Sequence, residues 1–237
     1  MEEKKDFAMK KKNALLQTKA LVGMAVFAAL AFVLSLVLRF PVLFLTFDVK
    51  DAIICTAAFI YGPIAAPIVA LLAALLELIV NISGTGLYGF VMNFLSSATL
   101  ATVASVIYYR WRTLNGAIVS LFLAVVSMVA VMMGANILIT PYYMTGGSVE
   151  AVVKLIPSVL LPFNLAKGLL NGAITLLIYK PIKIAMKRAH LVEKNASAGK
   201  EQTVAAEFRI TRSTWIILAI AAVMIVAAVV LFYAILN

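Results

Sequence analysis

The chain of 237 residues is 64% hydrophobic and 13% charged, against roughly 45–50% and 25% in an ordinary soluble domain, which excludes water as the main solvent of the folded protein. A formal charge of +10 would fit a nucleic-acid partner only if the basic residues shared a polar face, and they fall instead mostly between apolar runs. The single cysteine, Cys55, excludes a disulfide framework and a thiolate metal cluster, and reads as a small apolar packing residue.

Residues 1–17 form a lysine-rich start, and an apolar run from Ala20 to Leu38 follows. That run is too long for the apolar stretch of a signal peptide and lacks a small-residue cleavage site, so it is expected to remain as a first membrane span. Breaks at Gly, Pro and charge clusters predict helices over residues 18–38, 51–61, 63–80, 89–109, 114–139, 161–185 and 214–235. Most have the length that crosses a hydrocarbon core of about 30 Å at 1.5 Å rise per residue. The second is shorter, rising roughly 16 Å before Tyr61-Gly62-Pro63 turns the chain into the third.

Between the first two helices, Phe40 to Asp48 is too apolar for a solvated loop and is interrupted by Pro41. Such backbone is tolerated at a membrane surface where it packs on protein or covers a cavity, and it reads as a lid. With the amino terminus inside, sixteen of the twenty Lys and Arg residues lie on the inner side; Arg39, Lys50, Lys154 and Lys167 fall on outer connections or inside a span. Residues 189–213 are small and polar, a cytoplasmic linker, and residues 214–237 add a seventh span. The expected architecture is therefore an all-α membrane bundle, six helices over residues 18–188 plus one more. No internal repeat is visible.

Polar groups inside a bilayer are costly, so each raises a functional question. Three clusters gather near the expected outer surface. Asn164 and Lys167 lie three apart at the start of helix six; the lysine either snorkels outward or meets a ligand, and Asn164 favours the ligand. Asn136 lies one turn below Thr140, followed by Pro141 and Tyr142, and either bonds another helix or lines a groove. The third cluster joins the lid, Asp48 and Asp51 to residues 81–88, with Gly84 and Tyr88. Asp51 reads as the amino-terminal cap of helix two, and Glu77 as a group reaching interfacial water.

Amides donate and accept, which suits the edge of a planar heterocycle, and lid aromatics would cover its faces. Riboflavin fits that description, as do other ring systems. No Gly-rich loop ends in Gly-Lys-Ser/Thr, so no ATPase is encoded. The lone histidine, His190, falls in the basic segment, and no spacing supports a zinc site or a nucleophile with its base. No catalytic residue, metal ligand or cofactor is expected.

The lid ending at Phe47-Asp48, the short helix before Tyr61-Gly62-Pro63, the segment from Asn136 to Met144, and Pro162-Phe163-Asn164-Leu165-Ala166-Lys167 together resemble the riboflavin-specific substrate-binding component of energy-coupling factor (ECF) transporters. The resemblance covers about residues 15–188. It implies six helices that bind the vitamin near the outer face of a bacterial cell membrane under a gating first loop. It implies that Asn136, Asn164 and Lys167 bond the ring or its ribityl chain, with Leu45, Phe47, Asp48, Gly84, Tyr88, Thr140 and Tyr142 completing the pocket. FMN is a further ligand under this reading. It also implies docking, through small residues of the first helix such as Ala25 and Ala29, on a membrane-embedded coupling protein joined to two ATPase subunits. The seventh span departs from the family pattern. A related subunit for thiamin, biotin or folate, and a self-contained secondary transporter, are the alternatives.

Overall fold

The computed structural model describes residues 2–43, 45–80, 84–144 and 147–188, with side chains from residue 17 onward apart from residue 187, and six positions between 219 and 230. Helix α1 spans Glu2–Val37. It begins well before the apolar run because residues 2–19 are rich in Glu, Lys, Ala and Leu, which favour a helix without needing a bilayer. The lid is a two-stranded antiparallel hairpin, β1 (Arg39–Val42) and β2 (Leu45–Asp48). Phe40 faces Phe47 and Val42 faces Leu45 across it, and Leu43 at the tip adopts φ 54°.

The next helices are α2 (Lys50–Tyr61), α3 (Ala65–Ile79), α4 (Gly86–Arg110) and α5 (Leu114–Ile139). A 3-10 turn, Thr140–Tyr142, closes α5. Helix α3 is shorter than expected because Gly62, with φ 101°, and Pro63 hold the chain in a turn until Ala65. The break expected before residue 161 is absent. Helix α6 (Val149–Leu155), a π turn (Ile156–Leu160) and α7 (Leu161–Arg188) form one rod. Pro162 falls in the first turn of α7, where a missing N–H does little harm.

Among the described residues, four segments are long and apolar enough to cross a membrane: Gln17–Val37, Gly86–Arg110, Leu114–Tyr142 and Val149–Met186. Helix α2 is the central one. Every residue from Lys50 to Phe59 is buried, as expected for a helix that is apolar nearly all round. Its neighbours α1, α3 and α4 approach closely through small residues such as Ala31, Ala66, Ala73 and Ala101, all fully buried. Gly168 does the same between α7 and α5: a Cβ there would lie 2.9 Å from Met128 and Val125.

Away from the lid, Phe59 stacks on Tyr108 at 4.3 Å and meets the edge of Tyr179 at 5.7 Å. At the lid end a separate small cluster, Val42 and Phe47 with Phe163 and Ala166, holds the hairpin against α7. The linker 189–213, His190, Phe44 and residues 81–83 lie outside the described residues. Of the final run, Ala219, Ile220, Ala222, Val223, Val226 and Val230 are described and helical, and Ile220 packs on the main core.

Candidate functional site

The lid runs straight into the central helix, so the charged residues at that junction are carried into the middle of the bundle. Asp48, Lys50 and Asp51 are 3%, 1% and 1% exposed, and each faces a different helix. Lys50 Nζ donates to both carboxylate oxygens of Glu77 in α3, at 2.7 and 2.6 Å, and Asn93 Nδ2 in α4 donates to Glu77 at 3.0 Å. Lys167 Nζ in α7 donates to Asp48 Oδ2 at 3.0 Å and lies 3.9 Å from Asp51 Oδ2. Asp51 accepts from the Ser97 hydroxyl of α4.

Asn171 ties the junction to α7. Its Oδ1 accepts from the Ala52 N–H at 2.9 Å, and its Nδ2 donates to the carbonyls of Asp48 at 2.9 Å and Lys167 at 3.0 Å. One turn on, Thr175 Oγ1 donates to the Asn171 carbonyl at 2.7 Å. Every charge in this network has an opposite charge within 4.0 Å, the condition under which buried ions are tolerated.

Above the network lies a cavity of about 80 Å³ walled by the lid (Leu45, Thr46), α4 (Gly89, Met92, Asn93, Ser96), α5 and its 3-10 end (Met132, Asn136, Tyr143) and α7 (Phe163, Asn164, Lys167), with Thr85 at its edge. The close α5–α7 contact at Gly168 sets Asn136 opposite Asn164 and Lys167. Asn136 Nδ2 donates to the Met132 carbonyl at 2.7 Å, and its Oδ1 accepts from Thr140 Oγ1 at 2.9 Å. Asn164 Nδ2 donates to the Leu160 carbonyl at 2.8 Å. With those bonds made, each amide keeps one N–H, and Asn164 its carbonyl oxygen, for a ligand. A smaller void of about 20 Å³ adjoins, sharing Thr46 and Asn93 as wall and otherwise lined by Ser35, Arg39, Asp48, Lys50 and Glu77.

The sequence-predicted residues divide accordingly. Leu45, Asn136, Asn164 and Lys167 line the cavity. Thr140 stands behind Asn136, bonded to it and 3.1 Å from the Tyr143 hydroxyl. Asp48 stands behind Lys167, and Phe47 is turned away onto the edge of Phe163 at 6.0 Å. Tyr142 lies outside, 74% exposed and stacked 6.2 Å from Tyr88, while its neighbour Tyr143 takes the place at the wall. Gly84 is an exposed turn residue with φ 67°. Ala25 and Ala29 sit on the exposed face of α1.

Two expectations are corrected. Asp51 is not the cap of α2: the cap position is Val49, with no side-chain bond, and Asp51 turns to α4 instead. Glu77 does not reach interfacial water; it is 7% exposed and paired with Lys50. Lys50, placed on an outer connection or inside a span, is the first residue of α2 and buried within the bundle. Asn171 and Thr175 were missed, although they continue the Asn164–Lys167 stripe at helical spacing. Asn93 and Ser96 carried the signal of polar residues inside a predicted span and were missed too; Tyr143 and Phe163 stand within the segments that carry the resemblance, and Met92 and Met132 carried no signal beyond helical phase.

Residues 19–182 match the family described as ECF transporter, substrate-specific component. The chain is 30% identical over 188 residues to the riboflavin transporter RibU of Staphylococcus aureus strain TCH60, covering 76% of this chain and 98% of that protein. It is 29% identical over 178 residues to the riboflavin transporter FmnP of Bacillus subtilis strain 168, covering 71% of this chain and 94% of that one. The solved structure of the S component of a bacterial ECF transporter superposes with a TM-score of 0.62 at 30% identity, over 73% of this chain and 99% of its own. A family match over most of the chain, on a helical membrane bundle with a lid and a polar cavity beneath it, places this protein among the substrate-specific components of ECF transporters.

Proposed function

We propose that this chain binds riboflavin, with FMN as a further ligand, and delivers it for ATP-driven uptake. The observation that carries the reading is the meeting of Asn136, Asn164 and Lys167 in one lidded cavity, in a chain about 30% identical to two riboflavin transporters over nearly their whole length. Amides and an ammonium group supply donors and acceptors for a heterocycle edge, and Met92, Met132, Leu45 and Phe163 supply apolar faces. The cavity of about 80 Å³ is small beside the roughly 300–1,000 Å³ of sites that enclose drug-sized ligands. Loading therefore requires a wall to move, and the lid hairpin is the wall that is not part of a helix.

The same reading places the protein in a bacterial cell membrane with its amino terminus in the cytoplasm, supported by the distribution of Lys and Arg. It assigns the energy source to a membrane-embedded coupling protein and two ATPases, met through the exposed Ala25 and Ala29 face of α1, and no catalysis to the chain itself. Residues 214–237 add a further span by composition. Titration of the purified protein with riboflavin tests the ligand: flavin fluorescence is quenched at one equivalent, and unlabelled thiamin, biotin or folate does not restore it. Riboflavin that keeps its free fluorescence, or is displaced by another vitamin, overturns the assignment. Uptake driven by an ion gradient in vesicles containing this chain alone would replace the capture subunit with a secondary transporter.

A further inference from the structure

Ser96 is the unfinished part of the cavity. Gly89, Met92, Asn93 and Ser96 recur along α4 at spacings that put them on one face, and all four line the space. Ser96 is the deepest of them, ten residues or roughly 15 Å along the axis from Gly86 at the start of α4. It is 3% exposed, and its Oγ has no hydrogen-bond partner among the described residues.

Other helix serines in this protein behave differently. Ser35, Ser105, Ser120 and Ser127 each donate to a carbonyl three or four residues back, at 2.7 to 3.0 Å. Ser97, next in the chain, bonds Asp51. An orphaned hydroxyl in a buried wall is a destabilising feature that native proteins seldom keep without a use.

The surroundings say which part of a ligand arrives there. The thioethers of Met92 and Met132 and the ring of Phe163 line the same cavity, with Asn136, Asn164 and Lys167 among its polar groups. That is a slot for a flat ring with a polar edge. The wall suited to a polyol is elsewhere, where Thr46 and Asn93 meet the all-polar smaller void. Resting on the riboflavin reading above, we propose that Ser96 Oγ hydrogen-bonds a polar atom on the edge of the bound flavin ring and is a specificity-determining residue of the site.

The test is Ser96→Ala, with Ser105→Ala as control, titrated with riboflavin and with lumiflavin, which keeps the ring and replaces the ribityl chain by a methyl group. Thermal unfolding without ligand is measured in parallel. Ser96→Ala is expected to weaken both flavins about five- to tenfold, the loss of one buried hydrogen bond. The ligand-free melting temperature is expected to stay level or rise, because a methyl group replaces an unpaired hydroxyl. Ser105→Ala leaves both affinities within twofold.

A structural serine gives the reverse pattern, a lower melting temperature with unchanged affinity, and overturns the proposal. Weakening of riboflavin alone moves the contact to the ribityl chain and overturns the ring assignment. Wild-type protein that binds neither flavin overturns the riboflavin reading and this inference with it; wild-type binding with an unaffected Ser96→Ala overturns the inference alone.

Discussion

The two ends of α2 both pack inside the bundle and are built from opposite materials. At the lid end, Asp48, Lys50 and Asp51 are surrounded by Glu77, Lys167, Asn93, Ser97 and Asn171. At the other end Phe59 packs on Tyr108 and Tyr179 among alanines. The second arrangement holds helices together by contact area and close approach. The first is a poor way to gain stability, because the desolvation of each ion offsets most of its attraction. Its location, directly under the cavity and at the root of the lid, gives it a different use. It fixes Lys167 at the cavity wall and anchors the β2 end of the lid at Asp48, while Val42 and Phe47 hold the hairpin against α7.

This contrast is open to breakage. Lys50→Ala strands Glu77 as a buried anion and is expected to cost about 3–5 kcal/mol of stability. The pair Lys50→Met with Glu77→Leu is expected to recover most of that loss, since a buried ion pair exchanged for apolar groups is often neutral. Thermal unfolding in detergent reads both; a double variant no better than the single would mean that the charges themselves build the fold.

Phe59→Ala, at the opposite end, is expected to cost a similar 3–5 kcal/mol through lost burial and a cavity. Riboflavin affinity of the protein that remains folded is expected to hold within twofold. An affinity loss larger than tenfold would show that the apolar end shapes the site as well. The smallest effect is expected from Tyr142→Ala, within about 0.5 kcal/mol in both stability and affinity, the usual range for exposed positions. A loss of tenfold or more in its riboflavin titration would return Tyr142 to the pocket and displace Tyr143.

What was legible in the sequence follows the same division. Helices α1, α4 and α5 are plain from their runs, because a bilayer demands length and apolarity from each segment on its own. The stripe from Asn164 to Thr175 is a local pattern, and half of it was read. The ion pairs are not local. Lys50 and Glu77 are 27 residues apart, Asp48 and Lys167 are 119 apart, and nothing in the spacing of either pair announces the partner. Only the central position of α2 brings them together, and that position depends on how all its neighbours pack.

Of the two neighbouring tyrosines, Tyr143 lines the cavity and Tyr142 is exposed, a difference that helical phase does not announce. The helix tightens to a 3-10 turn at Thr140–Tyr142, which changes the phase by which a side chain's direction is judged. Pro157 and Pro162 mislead in the other direction. One is absorbed by a π turn and the other by the first turn of a helix, so the rod continues where punctuation alone stops it.

On the proposed function, the lid-end cavity holds the flavin through Asn136 and Asn164. The most direct measurement is the riboflavin dissociation constant of the double variant Asn136→Ala with Asn164→Ala, against that of the wild type. Loss of two buried hydrogen-bonding amides, at roughly 1–3 kcal/mol for each Asn and its unpaired partner, predicts a Kd weakened by about thirtyfold to ten-thousandfold. A Kd within twofold of the wild-type value would move the site elsewhere in the bundle.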